Sequence, residues 1–181
     1  MGSIKVHEFI SLDGVIDAPT WTFEYGFDQR MGDALSRVMD ACDAILLGRK
    51  TFEMFEPAWS VRTVDDDAAA PFFNDTMKYV VSSTLKTPTW RHSTILGPYR
   101  TEAIRRLKED VAGGCYVSGS ATLVHALLAD ALVDELHLCV YPLTRGSGPH
   151  LFVDGAAASK WSLAASESYD NGVLYLKYER T

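Results

Sequence analysis

Glycine, hydroxyl and cationic side chains follow a predicted strand at three places in the chain, in patterns that suit the binding of an anion. The first place is the run Gly48-Arg49-Lys50-Thr51, directly after the short apolar segment 44–47. Glycine lets a ligand approach the backbone, and a helix predicted to begin near Thr51 offers free N–H groups to a phosphate. The pattern indicates an anion site, and the alternative is a tight turn with a solvated arginine and lysine.

A second place carries three consecutive hydroxyls, Ser82, Ser83 and Thr84, with Lys86 two residues beyond them. Hydroxyls and a cation at the end of a strand can bind a phosphate through charge-assisted hydrogen bonds. The alternative is an ordinary loop, since Ser and Thr are common loop residues.

The third place is the run 118–123, where a predicted strand passes through small residues into the start of a helix. Small side chains leave room for a diphosphate to lie on the N-terminal end of that helix. N-capping of the helix by Ser118 or Ser120 is the alternative. The run matches neither the dinucleotide-binding fingerprint GxGxxG nor the P-loop GxxxxGK[ST].

Composition narrows the class of protein. The chain has 181 residues with 17 basic and 24 acidic side chains, for a net charge of −7. Because nucleic-acid binders normally carry a clustered basic face, we expect no nucleic-acid partner. Cys42, Cys115 and Cys139 are far apart and lack metal-ligand spacing, which predicts buried thiols and no metal site. No apolar run approaches the ~20 residues of a membrane span and no signal peptide is visible, so we expect a cytoplasmic protein without a membrane partner.

The elements that must position these loops alternate between strand and helix. Wholly apolar runs such as 44–47 suit strands that are covered on both faces. Apolar residues at helical spacing predict helices over 30–42, 103–111 and 120–132. The stretch 61–71, with three consecutive aspartates and three alanines, is predicted to be a loop that runs along the surface.

The C-terminal segment has a different pattern. Predicted strands 161–168 and 173–179 flank Asn171-Gly172, a strong signal for a hairpin with a type I′ turn. We therefore expect a single α/β domain over residues 1–181. It has a mostly parallel central sheet, helices on both faces and an antiparallel C-terminal hairpin.

In order and spacing, the three loop motifs resemble those of the dihydrofolate reductase-like superfamily. The closer likeness is to the reductase half of the bifunctional deaminase-reductase of riboflavin biosynthesis, and to its stand-alone relatives. Two further runs resemble that family's other signatures, FISLDG at 9–14 and YPLTRGSGPHLF at 141–152. Ser120 departs from the family pattern, because many members have a second glycine there. The chain also has no HxE or PCxxC signature and therefore lacks the deaminase activity of the bifunctional enzyme.

The resemblance implies a three-layer dihydrofolate reductase-like fold, NADPH as cofactor and a homodimer. It implies that Gly48, Arg49, Lys50 and Thr51 lie along the adenosine side of NADPH, with Arg49 or Lys50 near the 2′-phosphate. Ser82, Ser83 and Thr84 would share that phosphate and its ribose. Asp13 and Gly14 would stand near the nicotinamide and the substrate. The diphosphate would be cradled by Gly119, Ser120, Ala121, Thr122 and Leu123.

Hydride transfer to a C=N or C=O group also needs a proton source and an aligned acceptor. Asp13 is the candidate proton donor or substrate anchor, because it stands at the end of the first strand beside a glycine. A plain turn aspartate is the alternative, and Glu24 and Asp28 are further candidates for the donor. Trp21 and Trp59 are candidates to stack on a flat substrate.

The sequence thus predicts an NADPH-dependent reductase of a small substrate, either a pterin- or pyrimidine-like heterocycle or a carbonyl compound. The alternative is a non-enzymatic protein that binds a nucleotide or another small ligand on the same scaffold. Oxidation of NADPH in the presence of a substrate separates the two.

Overall fold

The apolar segments form strands around which the rest of the chain packs, in a computed structural model that describes residues 2–16 and 19–181. Its strands are β1 (Ser3–Ser11), β2 (Cys42–Gly48), β3 (Met77–Val81), β4 (Ser93–Gly97), β5 (Gly114–Ser118), β6 (Glu135–Tyr141), β7 (Trp161–Ser168) and β8 (Leu174–Arg180). Its helices are α1 (Gln29–Asp40), α2 (Arg49–Trp59), α3 (Ala70–Asp75), α4 (Thr101–Asp110) and α5 (Ala121–Ala129), and a 3₁₀ segment spans Thr20–Tyr25.

These strands form one sheet in the order β4-β3-β2-β5-β1-β6-β8-β7. The first six in this order are parallel, β8 is antiparallel to β6, and β7 is antiparallel to β8. The predicted mostly parallel sheet with an antiparallel C-terminal hairpin is confirmed. Because β1, β2, β3 and β5 run in the same direction, the loops that follow them lie at the same edge of the sheet, where ligands of open α/β sheets bind.

Helices cover both faces of the sheet, as predicted. Side chains alternate along each strand, so neighbouring residues enter different cores. On one face, Val6 and Val117 pack in a core with Leu127 of α5. On the other face, Leu47 packs in a core with Phe52 of α2. This arrangement gives the three layers of the predicted fold. The thiols of Cys42, Cys115 and Cys139 are free and buried, as the sequence indicated.

The turn of the C-terminal hairpin differs from the predicted type I′ turn. A type I′ turn needs positive φ at two central residues, whereas Gly172, with φ of 84°, is the only residue of this turn among those described that has one. The Tyr169 N–H and the Gly172 N–H donate to the Val173 and Tyr169 carbonyls, respectively. The loop therefore has three residues and ends on a left-handed glycine, which is the next most common hairpin geometry.

Two helical segments were not predicted. Residues 61–69 run mostly along the surface, as expected, but α3 then begins at Ala70 and buries Phe73 and Asn74. The 3₁₀ segment Thr20–Tyr25 likewise buries Trp21. Within the described ranges, every helix is too short or too polar to cross a membrane.

Candidate functional site

Two helix N-termini meet at the edge where β2 and β5 end. The Gly48 N–H donates to the Ser120 Oγ at 3.0 Å, and the Ser120 N–H donates to the Thr51 Oγ1 at 2.9 Å. No side chain in the described part of the chain caps either α2 or α5. The first N–H groups of a helix need partners and favour an anion, because they carry the positive end of the helix dipole. The pair of ends can therefore bind an anion, and the N-capping alternative for Ser118 and Ser120 does not hold.

The backbone of the loop between β5 and α5 is left-handed at two consecutive residues. Gly119 and Ser120 both have φ of 57°. A Cβ at Gly119 would lie 3.3 Å from the Thr51 Cγ2, so a side chain there would crowd α2. Ser120 adopts a conformation that glycine adopts without strain. Two hydrogen bonds of the Ser120 Oγ compensate for this backbone strain: it donates to the Ser118 carbonyl and accepts from the Gly48 N–H.

A second feature is a cavity of about 330 Å³ lined by Arg49, Val81, Ser82, Ser83, Thr84, Pro98 and Tyr99. The Arg49 guanidinium is half exposed and pairs with the Glu53 carboxylate at 2.8 Å. The Ser82 Oγ accepts from the Thr84 and Leu85 N–H groups, so this hydroxyl fixes the turn. Lys50 and Lys86 are exposed and do not line the cavity. Of the cations that the sequence suggested, Arg49 alone lines it.

The buried carboxyl of Glu8 lies directly behind this edge, and sequence reasoning missed it. Its Oε2 accepts from the Gly119 N–H at 3.1 Å, while its Oε1 has no partner among the described residues. Burial raises the pKa of Glu8 well above the ordinary value of 4.5. A glutamate between Val6 and Ile10, at an inward position of an apolar strand, was the signal that could have identified it.

Glu8→Gln tests this ionisation through stability. The pKa of Glu8 is higher in the folded than in the unfolded chain, so the folded state holds the proton more firmly and loses stability as pH rises through the folded pKa. Glutamine keeps an acceptor for Gly119 and does not titrate. The free energy of unfolding of the variant relative to the wild type is therefore expected to increase between about pH 5 and about pH 9. Urea unfolding at several pH values measures it, with Glu102→Gln on exposed α4 as the control. A difference that stays constant with pH contradicts the expectation.

The Asp13 carboxylate has a structural task that conflicts with donating a proton. It accepts from the Ser11 Oγ and from the Arg145 and Gly146 N–H groups, the latter at 3.0 and 2.7 Å. These donors hold the pKa of Asp13 far below its usual range. The carboxylate thus stays ionised and joins the β1 turn to the loop after β6. The geometry favours the turn interpretation and does not support Asp13 as the proton donor.

Gly14 lies in the same turn, with φ of 85°. Its carbonyl accepts from the Leu151 N–H, and its neighbour Val15 forms a bridge with His150. The Asp13-Gly14 turn and the loop after β6 therefore form one hydrogen-bonded unit beside the end of β1.

The two tryptophans predicted to stack on a substrate have different positions. Trp21 is buried, with its ring edge-on to Tyr141 at 5.2 Å between centroids. It is a core residue and does not line either cavity, because the 3₁₀ segment turns it inward. Trp59 does line a cavity, stacked on Phe73 at 4.2 Å with an interplanar angle of 24°.

Of the alternative proton donors that the sequence suggested, Asp28 caps α1 and pairs with Arg30.

The cavity that contains Trp59 has a volume of about 480 Å³ and lies between the sheet and helices α1, α2 and α3. Ser118 lines it and directly precedes Gly119, so it opens beside the uncapped N-terminus of α5. Six aromatic rings form much of the wall of this cavity, which we call the aromatic cavity: Phe9, Phe27, Phe55, Trp59, Phe73 and Tyr116.

Two polar side chains at the base of this cavity are held neutral. His7 Nδ1 and Tyr116 Oη share a hydrogen bond of 2.7 Å. Burial, and next the nearby His137, lower the pKa of His7 to about 3. Burial raises the pKa of Tyr116 above its usual range. At neutral pH the base of the cavity is therefore uncharged and can accept a flat, largely apolar molecule.

A family model and a curated relative match most of this chain. A model of the RibD C-terminal domain matches residues 3–175. The 2,5-diamino-6-ribosylamino-4(3H)-pyrimidinone 5′-phosphate reductase of Methanothermobacter thermautotrophicus is 26% identical over 179 residues, covering 81% of this chain and 81% of that protein.

Solved structures share the fold at lower identity. A protein from Shewanella sp. PV-4, assigned to riboflavin biosynthesis, superposes with a TM-score of 0.79 at 19% identity, covering 99% of each chain. Dihydrofolate reductase from Enterococcus faecalis, solved in complex with NADP(H), has a TM-score of 0.64 at 14% identity, covering 99% of this chain and 97% of that one. The expected dihydrofolate reductase-like fold is confirmed.

Proposed function

The chain belongs to the RibD C-terminal domain family and is an oxidoreductase, and on that premise we propose that it reduces a small substrate with NADPH. The substrate is a pterin- or pyrimidine-like heterocycle or a carbonyl compound. One observation carries the proposal: the uncapped ends of α2 and α5, joined through Ser120, lie between a cavity with an arginine and a cavity with aromatic walls. NADPH needs these three environments in this order, for its 2′-phosphate, its diphosphate and its nicotinamide ring.

We assign the parts of the cofactor to the chain as follows. Arg49, with the exposed hydroxyls of Ser83 and Thr84, holds the 2′-phosphate, while Ser82 fixes the turn that presents them. Gly48, through its backbone N–H, and Thr51, through its hydroxyl, position Ser120 and do not contact the cofactor directly. Lys50, which is exposed, screens the phosphates from a distance. The diphosphate is held by the backbone of Gly119, Ser120, Ala121, Thr122 and Leu123.

When bound, NADPH supplies the hydride. The chain's own part is to hold the acceptor in the aromatic cavity, against the rings that form its wall. The Asp13-Gly14 turn, fixed to the loop after β6, positions the end of β1 beside the acceptor. His7 and Tyr116 exclude water and charge from the base of the cavity.

We further propose that water supplies the proton that follows the hydride. The pKa shifts of Asp13, His7 and Tyr116 keep each of these groups in a single protonation state at neutral pH, so none of them is suited to donate a proton there. Glu8 holds a proton, but it alternates with His7 and Phe9 along β1 and therefore points to the opposite face of the sheet.

Cofactor oxidation tests the proposal. NADPH absorbance is followed on a panel of pterins, pyrimidinediones and aromatic carbonyl compounds, and at least one is expected to accelerate its loss. Tight NADPH binding without oxidation on any of them favours the alternative, a protein that binds the nucleotide without turnover.

We also propose that the protein is a homodimer. Strand β7 lies at one edge of the sheet, and its residues 162–166 are exposed, with Leu163 55% accessible. An exposed edge strand offers unpaired backbone groups and pairs readily with another chain. Light scattering is expected to give twice the chain mass of 20.0 kDa, and Leu163→Lys is expected to shift it toward the monomer. Val64→Lys, at an exposed loop position, is the control. A monomeric mass of the wild type refutes the proposal.

A further inference from the structure

The charges around the aromatic cavity distinguish it from the cavity of Arg49. Among the described residues that line it, there is no lysine or arginine, and His7 is neutral. The formal charge on its wall comes from Asp67, which is an anion.

A cation does lie beside this cavity, but it is already engaged. The Arg62 guanidinium lies over the Trp59 ring, 5.0 Å from its centroid, and 3.7 Å from the Asp67 carboxylate. The other oxygen of Asp67 accepts from the Ala69 N–H at 2.9 Å. Arg62 is therefore balanced by Asp67 and covers one face of the Trp59 ring, while Phe73 stacks on that ring as well.

The rim of the cavity is also apolar. The Phe27 side chain is 71% exposed, and its ring lies on α1 at Gly32, where a Cβ would come within 2.5 Å of the ring. Both residues line the cavity. An exposed aromatic ring seated on a glycine gives the entrance a flat surface that a second ring can cover.

Among the described residues that line the cavity, none supplies a free cation to a phosphate ester, and the nearby Arg62 is already paired with Asp67. Burying an anion without a paired cation is costly, and the carboxylate on the wall adds repulsion. By contrast, an uncharged ring gains contact with the aromatic side chains that line the cavity.

We propose that the aromatic cavity takes a flat, uncharged heterocycle that carries no phosphate. This inference rests on the proposed function, since it names the substrate class of the same site. It sets the chain apart from its archaeal relative, whose name specifies a 5′-phosphate substrate.

Matched pairs of ligands test the inference on the protein saturated with NADPH. The pairs are riboflavin and FMN, pyridoxal and pyridoxal 5′-phosphate, and the ribosylaminopyrimidinone of the archaeal enzyme with and without its phosphate. Calorimetric titration is expected to show that, in each pair that binds, the unphosphorylated member binds about tenfold or more tightly. Equal or tighter binding of the phosphate esters overturns the inference, and so does the failure of every ligand to bind.

A variant that adds a positive charge to the cavity provides a second test of this inference. Ser36 lies on α1, is exposed and lines the cavity, so Ser36→Lys places a cation on its wall. The variant is expected to shift the preference toward the phosphate esters by about tenfold. An unchanged preference contradicts the assignment of the binding site to this cavity.

NADPH affinity, measured first, separates this inference from the proposed function. If NADPH does not bind, the proposed function fails. If NADPH binds and phosphate esters are preferred, only this inference fails.

Discussion

Arg49→Ala is expected to weaken NADPH binding about tenfold or more and to leave NADH binding nearly unchanged. Of the three cations that the sequence suggested, Arg49, Lys50 and Lys86, Arg49 is the one that lines the cavity assigned to the 2′-phosphate. A hydrogen bond to a charged group contributes about 1.5–3 kcal/mol. Because the Arg49 side chain is partly exposed and shared with Glu53, its contribution lies at the lower end of that range. Titration of both cofactors measures the difference.

Lys50→Ala is the matched control for this prediction. Lys50 is the next residue in the sequence and carries the same charge, but it is exposed outside the cavity. Its removal is expected to change NADPH affinity only slightly, through long-range attraction that salt screens. If both variants lose NADPH affinity equally, or if Arg49→Ala weakens NADH as much as NADPH, the 2′-phosphate does not bind at Arg49.

Asn74→Leu is expected to destabilise the folded protein by about 3 kcal/mol or more. Asn74 is 2% exposed and joins three separate segments. Its Nδ2 donates to the Trp59 and Arg62 carbonyls, and its Oδ1 accepts from the Trp90 Nε1 at 2.9 Å. Leucine leaves these groups without their partner, and each buried unsatisfied group costs about 1–3 kcal/mol. Denaturant unfolding measures the loss.

The neighbouring Asp75→Asn is the control, because it changes the same helix at an exposed position. Asp75 pairs with Arg91 at the surface, and such pairs contribute about 0–1 kcal/mol. Asn74 also fixes the end of α2, where Trp59 lines the aromatic cavity. If Asn74→Leu unfolds no more readily than Asp75→Asn, the three hydrogen bonds do not form in solution.

The order of strands and helices was predictable because each element has its own period of apolar residues. The run 44–47 is wholly apolar, and in the sheet β2 lies between two parallel neighbours with helices on both faces. The three candidate anion sites were also visible in the sequence, because glycine and hydroxyl residues directly follow predicted strands there. Parallel pairing then brings them to one edge.

What the sequence left undetermined depends on contacts between distant residues. The sequence left Asp13 as either a proton donor or a plain turn aspartate, and its contacts with Arg145 and Gly146 show why it stays ionised. Trp21 looked like a loop aromatic, yet a short 3₁₀ segment turns it into the core. The inward position of Glu8 in an apolar strand indicates its burial, but its contact with the Gly119 N–H, more than 100 residues away, is not encoded by any local pattern.

A crystal structure of the protein with NADPH would show where each part of the cofactor binds. We expect the diphosphate oxygens at about 3 Å from backbone nitrogens of residues 119–123, the 2′-phosphate beside Arg49, and the nicotinamide facing the cavity of Trp59. A cofactor that binds elsewhere, or that lies along this edge with its diphosphate away from those nitrogens, contradicts this expectation.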